Sequence, residues 1–151
     1  MLFCVSGESG NGNVVIYVYD SLTWQRICLI LSPCRCRHGS LHTMHVGSEY
    51  ITLACSDINT IHTMTHAGDL VNVMKTNGYP RLCHTGSDAV LVAEWLNNHL
   101  MLQNNGDWSR VLLKPPPLIP RDAVYVGGSL FVLSEWNFAI RKDRIIKYIR
   151  K

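Results

Sequence analysis

Cys34, Cys36, His38 and His42 form the tightest group of metal-ligating residue types in the chain, four within nine residues. Zinc takes four thiolate or imidazole ligands in a tetrahedron, and a C-x-C-x-H-x₃-H pattern supplies the number. The two-residue gap usual between paired zinc cysteines is missing, and Arg35 and Arg37 interleave the ligands, so the segment reads as a basic loop. Glu94, Glu135 and Asp57 form a second set, each ending an apolar run. Acids returning at equivalent places could ring a calcium ion through oxygen, but carboxylates at strand ends also accept backbone N–H bonds, and that plainer role is preferred. His42, His45, His62, His66, His84 and His99 raise the question of a catalytic base, yet no serine in a nucleophile-elbow context lies near any of them. On these grounds no catalytic residue, cofactor or metal ligand is assigned, and the chain is read as a non-enzyme.

The elements that must carry these residues are short. Apolar residues come in runs of four to six, and breaks rich in Gly, Asn or Asp arrive every eight to twelve residues, which excludes amphipathic helices and predicts an all-β meander. Strands are expected at 41–46, 50–55, 61–65 and 70–74. The plan repeats at 81–85, 89–93, 100–103 and 109–113, and again at 123–126, 130–133, 138–141 and 145–149. The start of the chain offers only three strands, at 2–5, 14–19 and 24–30, and lacks the innermost one.

The repetition is visible in the residues themselves. Val92-Ala93-Glu94-Trp95-Leu96-Asn97 returns as Leu133-Ser134-Glu135-Trp136-Asn137, the Glu-Trp pairs standing 41 residues apart, with a looser copy at Leu53-Ala54-Cys55-Ser56-Asp57. A period of about 40 residues built from four short strands is the signature of β-propeller blades. The expected organisation is one region, with a partial blade over 1–38 and blades over 39–78, 79–118 and 119–151. Six or seven such blades need roughly 240 to 290 residues, so 151 residues make about three and a half blades of a partial or open propeller. Pro115-Pro116-Pro117 cannot join a ladder and belongs between blades.

The stretch from Asp88 to Leu100 is similar to the NHL repeat, whose Asn-His-Leu tripeptide stands here as Asn98-His99-Leu100. Asn59-Thr60-Ile61 and Asn137-Phe138-Ala139-Ile140 occupy the same place in looser copies. Two positions depart from the family pattern: Glu94 and Glu135 replace the usual Asp, and Leu100 stands where an Arg commonly follows Asn-His. The resemblance implies a divergent six-bladed propeller that binds protein or RNA, often as the terminal domain of tripartite-motif ubiquitin ligases. It makes Glu94, Trp95, Asn98, His99, Leu100, Glu135, Trp136 and Asn137 blade scaffolding, with the tryptophans filling space between sheets.

Composition narrows the partners. A hydrophobic content of 47% against 17% charged residues excludes disorder, and no apolar stretch approaches a membrane span, so a soluble cytoplasmic protein without membrane contact is expected. In that compartment Cys4, Cys28, Cys55 and Cys83, each within an apolar run, should be reduced and buried. A net charge of +3 names no partner. The last twelve residues hold six basic groups and one acid, and Arg35, Arg37, Arg144, Lys147 and Arg150 are candidate contacts for RNA or a protein partner. Lysines and arginines on an edge strand also deter sheet-to-sheet association. The reading is a non-catalytic scaffold for protein–protein interaction, with 32–40 and 114–120 as candidate contact loops and self-association through open blade edges as a further possibility. RNA binding, and behind it a metal-dependent propeller hydrolase or lyase, are the alternatives.

Overall fold

The computed structural model of the chain describes residues 2–6, 13–35, 42–83, 89–94, 99–104, 107–111, 120–127, 129–137 and 142–149. They form fourteen strands. The first sheet contains β1 (Leu2–Ser6), β2 (Asn13–Tyr19) and β3 (Arg26–Arg35). The second contains β4 (His42–Val46), β5 (Tyr50–Cys55), β6 (Thr60–Thr65) and β7 (Leu70–Lys75). β8 (Pro80–Cys83), β9 (Val90–Glu94), β10 (His99–Asn104) and β11 (Asp107–Val111) make the third. β12 (Pro120–Val126), β13 (Ser129–Asn137) and β14 (Lys142–Ile149) make the fourth. Every sheet is an antiparallel meander in chain order, as short strands joined by local turns require.

Turn chemistry sets several registers. Cys55 faces Thr60 across a four-residue turn that ends on Asn59 at φ 51°, a left-handed conformation that Asn tolerates better than other non-glycine residues. Val126 faces Ser129 across the tight turn expected at Gly127-Gly128, where Gly127 has φ 55°; Gly128 lies outside the described residues.

The sheets stack face to face in sequence order. Val14, Ile16, Val18 and Ile30 of the first sheet pack on Ile51, Leu53, Cys55 and Met64 of the second. Ala54 and Ile61, on the second sheet's other face, meet Leu82, Val90 and Val92 of the third. Cys83, Leu91, Ala93 and Leu100 then meet Ala123 and Val132 of the fourth. Because side chains alternate along a strand, β5 and β9 each send successive residues into two different cores. The first strands of consecutive sheets adjoin, with β4 against β8 and β8 against β12. This is an all-β, propeller-like arrangement of four small sheets, and they do not close on one another.

Four expectations are corrected. The fourth sheet has three strands among the described residues: β14 pairs directly with β13, so 145–149 belongs to its third strand, and the strand expected at 138–141 lies outside the described residues. Trp24 does not start β3 but sits in the preceding turn at φ 58°. Cys28 is free but exposed, on an edge strand where the second sheet does not cover it. Cys55 is not a thiol: it is disulfide-bonded, to a partner outside the described side chains. Cys83 is free and buried.

Candidate interaction surface

The β2–β3 hairpin carries the most exposed apolar side chains of the described residues. Its turn is built on Asp20, whose Oδ1 accepts hydrogen bonds from the backbone N–H of Leu22 at 2.9 Å and of Thr23 at 2.8 Å, and from the Thr23 hydroxyl at 3.1 Å. The Trp24 N–H donates to the Asp20 carbonyl, and the Asp20 N–H to the Gln25 carbonyl, both at 2.9 Å. The Thr23 and Leu22 N–H groups, in that order, hold the Asp20 carboxyl below its ordinary range. This turn keeps Trp24 in a left-handed conformation that is rare for a bulky residue and leaves it 68% exposed, beside Leu22 at 89%. Strain of this kind persists where the surroundings hold it and is a pointer to function.

Below the turn, β3 presents Ile27, Leu29 and Leu31, each about half exposed. Leu29 and Leu31 face Tyr17 and Val15 across the ladder, on the side of the first sheet turned away from the second. The Arg26 guanidinium lies 5.8 Å from the centre of the Tyr17 ring, and Tyr17 and Tyr19 stand 6.4 Å apart. Tyrosines, an arginine and a tryptophan around aliphatic side chains match the composition of energetically dominant contact residues.

The far end of the stack repeats this. Val124, Val126 and Ile145 are exposed on the face of the fourth sheet turned away from the third. Val124 stands opposite Phe131, and Leu133 opposite Ile145. Lys147 places its ammonium 5.5 Å from the Phe131 ring centre, so this candidate contact residue lies on the apolar face.

A third feature is polar. His45 faces Thr52, Thr52 faces Thr63 and Thr63 faces Asn72, one register line across all four strands of the second sheet. With Val90 and Gln103 of the third sheet and the turn from Gly47 to Tyr50, they line a cleft of about 440 Å³. His45, Thr52, Thr63 and Gln103 are buried, and His66 Nε2 lies 3.1 Å from the Gly47 carbonyl at the cleft's end. Hydroxyl, imidazole and amide groups without a buried ion suit uncharged hydrogen-bonding groups.

The other residues singled out in the sequence do not converge. Glu94 is buried at the end of β9, opposite Pro80 and His99, and it engages another residue. Leu100 is in the core shared with the fourth sheet. His99, Glu135, Trp136 and Asn137 lie in strands with side chains outside the described set, and Trp95 and Asn98 lie outside the described residues. Arg35 ends β3 and Arg144 faces Ser134 in β14, so these belong to different sheets. Arg37 and Arg150 are not among the described residues, nor is most of either candidate contact loop. Two further arginines, Arg81 and Arg110, which RNA binding would need beside these, are exposed on opposite edge strands of the third sheet. Among the described residues, no group of three or more His, Cys, Asp or Glu side chains is placed to hold a metal, and no helix is long and apolar enough to cross a membrane. The exposed hairpin and the polar row were missed in sequence. Their signals are an exposed-type tryptophan beside a turn-forming Asp, and polar residues interrupting otherwise apolar runs.

No family model matches the chain, and no curated protein matches its sequence. Solved structures do resemble it. A protein of unknown function from Bacteroides caccae superposes with a TM-score of 0.65 at 12% identity, over 84% of this chain and 50% of that one. Virginiamycin B lyase from Staphylococcus aureus superposes with a TM-score of 0.58 at 15% identity, over 97% of this chain and 55% of that one. The chain thus spans about half the length of these two structures. At such identities the likeness shows the fold alone: a propeller-like all-β architecture, and not the NHL repeat in particular.

Proposed function

We propose that this chain is a non-catalytic, propeller-like scaffold that binds another protein through the open face and hairpin tip of its first sheet. The observation that carries the reading is the hydrogen-bonded Asp20 turn presenting exposed Trp24 and Leu22 next to Ile27, Leu29 and Leu31. Large exposed apolar patches of this kind mark interaction sites, and a preformed turn lowers the ordering cost of binding. A metal-dependent hydrolase or lyase would need acids and histidines converging on one point, and RNA binding would need the arginines on one face; no observation favours either. The disulfide at Cys55 favours an oxidising compartment over the cytoplasm.

The test is site-specific photo-crosslinking. A photoreactive residue at position 29 is expected to give a discrete protein adduct that Trp24→Ala suppresses, while one at the exposed edge residue Val73 gives none. Equal labelling from both positions, or none from position 29, would sink the reading.

A further inference from the structure

We propose that the cleft between the second and third sheets is a binding site for a short neutral saccharide. It lies on the face of the second sheet turned away from the first, so it does not depend on the protein-binding face of the first sheet.

At the cleft end the two faces of the second sheet differ in character. Val46, Ile51 and Met64 share one register line and join the apolar core against the first sheet. The adjacent line, His45, Thr52 and Thr63, turns to the third sheet and is polar throughout. The other end of that same junction is apolar, with Ala54 and Ile61 on Leu82 and Val92. Gln103 of the third sheet adds an amide to the lining. Thr52, Thr63 and Gln103 are 2%, 5% and 6% exposed, and among the described residues no side-chain hydrogen bond engages them. Buried polar groups in folded proteins are almost always hydrogen-bonded, so three of them lining one cleft call for a partner from outside the fold.

The rim supplies the rest of the chemistry. Side chains alternate along a strand, so Tyr50 shares the face of Thr52 and stands at the rim, 40% exposed. An open aromatic ring receives the apolar C–H face of a sugar while its hydroxyl stays wet. Glu49 also lines the rim; a carboxylate only accepts, which suits adjacent hydroxyl donors and disfavours an anion. Threonine hydroxyls and a glutamine amide both donate and accept, as sugar hydroxyls do. The rim is held in place, since the Gly47 N–H donates to the Tyr50 carbonyl at 2.9 Å and the His66 ring lies 3.1 Å from the Gly47 carbonyl. Beside Thr63 the ladder shifts register and leaves Val71 outside it, on the cleft wall; bulges re-aim side chains in this way next to functional sites. The volume of about 440 Å³ falls within the range of small-molecule sites, about 300–1,000 Å³.

Protein-observed NMR on the full chain tests this. Glucose, galactose, mannose, N-acetylglucosamine, cellobiose and lactose are titrated singly, beside glucuronic acid, a glucose phosphate and an acetylated, amidated alanine tripeptide. At least one neutral sugar is expected to give saturable shift changes in the millimolar range, confined to β4–β7, β10 and the turn from Gly47 to Tyr50. The charged sugars and the peptide should give none. Thr52→Val and Thr63→Val keep the shape and remove a hydroxyl, and each should weaken binding about tenfold. Tyr50→Ala, at an exposed position, should weaken it as well and carries the test if a threonine variant fails to fold by circular dichroism. No saturable change from any neutral sugar, as a merely water-filled cleft would give, overturns the proposal. So does tighter binding of a charged sugar or the tripeptide, or sugar binding indifferent to Thr52→Val and Tyr50→Ala.

Discussion

The side-chain hydroxyl of Thr43 accepts a hydrogen bond of 2.8 Å from the backbone N–H of Leu82, 39 residues away and on the first strand of the next sheet. It joins two consecutive sheets at positions one repeat apart. Thr43→Val keeps the shape and removes the acceptor, leaving a part-buried N–H without its partner. Such a loss costs about 1–3 kcal/mol. Urea unfolding should show a decrease of that size for Thr43→Val and a much smaller one for Thr43→Ser; equal stabilities of Thr43→Val and the parent would remove the bond from the account.

Gly68 holds the junction between the first two sheets by having no side chain. Its φ is +96°, and a Cβ built there comes 2.8 Å from Ile30 Cγ2. Both the backbone conformation and the contact oppose a larger residue. Gly68→Ala is expected to destabilise by more than about 1 kcal/mol. In an Ile30→Ala background the penalty should shrink without vanishing, because the methyl contact is relieved while the positive φ remains. Thermal melts of the four chains check this, and an unchanged penalty would show that Ile30 plays no part.

His62 makes stability depend on pH in a definite direction. Burial lowers its pKa from the ordinary 6.5, Nε2 lies 3.0 Å from the Thr60 hydroxyl, and buried Nδ1 has no hydrogen-bond partner among the described residues. Between the lowered folded value and 6.5 the unfolded chain binds the proton and the folded chain does not. Stability therefore falls as pH drops through this window and levels off below the folded value. The urea midpoint should be lower at pH 5.5 than at pH 7.5, and His62→Gln should reduce the difference. A difference unchanged in His62→Gln would assign the acid sensitivity elsewhere.

The cysteines should separate by chemistry. Burial first, and then the Asp122 carboxylate, push the Cys83 thiol up to about 12, so almost no thiolate is present near neutrality. Cys28 is free and exposed, and Cys55 is disulfide-bonded. Iodoacetamide at pH 8 should alkylate Cys28 in the native chain, reach Cys83 only after unfolding, and reach Cys55 only after reduction. Mass spectrometry of the digests reads all three. Alkylation of native, unreduced Cys55 would contradict the disulfide.

The strands of the second sheet were legible almost to the residue. The reasons are local: Gly47-Ser48, Ser56-Asp57-Ile58-Asn59 and Ala67-Gly68-Asp69 are turn formers, and the residues between them favour extended backbone. Asn59 illustrates the link, since its side chain type suits the φ of 51° that the turn requires. The hairpin tip was less legible. An aromatic residue three positions ahead of the apolar run from Ile27 to Leu31 reads as the start of that strand, and only the Asp20 hydrogen bonds draw Trp24 into the turn. The cleft was not legible at all, because aligning His45, Thr52, Thr63 and Asn72 needs three strand registers at once.

The recurring apolar runs and turns by themselves determined an all-β chain of small antiparallel sheets, since strand and turn preferences act over a few residues. They also determined the repeat, which is a property of the letters. Only the tertiary structure decided which side of each strand meets which sheet. Ile51, Leu53 and Cys55 go one way and Ala54 the other, and a run apolar on both sides carries no alternation from which this can be read. The same stacking leaves Leu29 and Ile145 on open faces at opposite ends. Their exposure depends on the presence or absence of a neighbouring sheet, a long-range fact that no local pattern encodes.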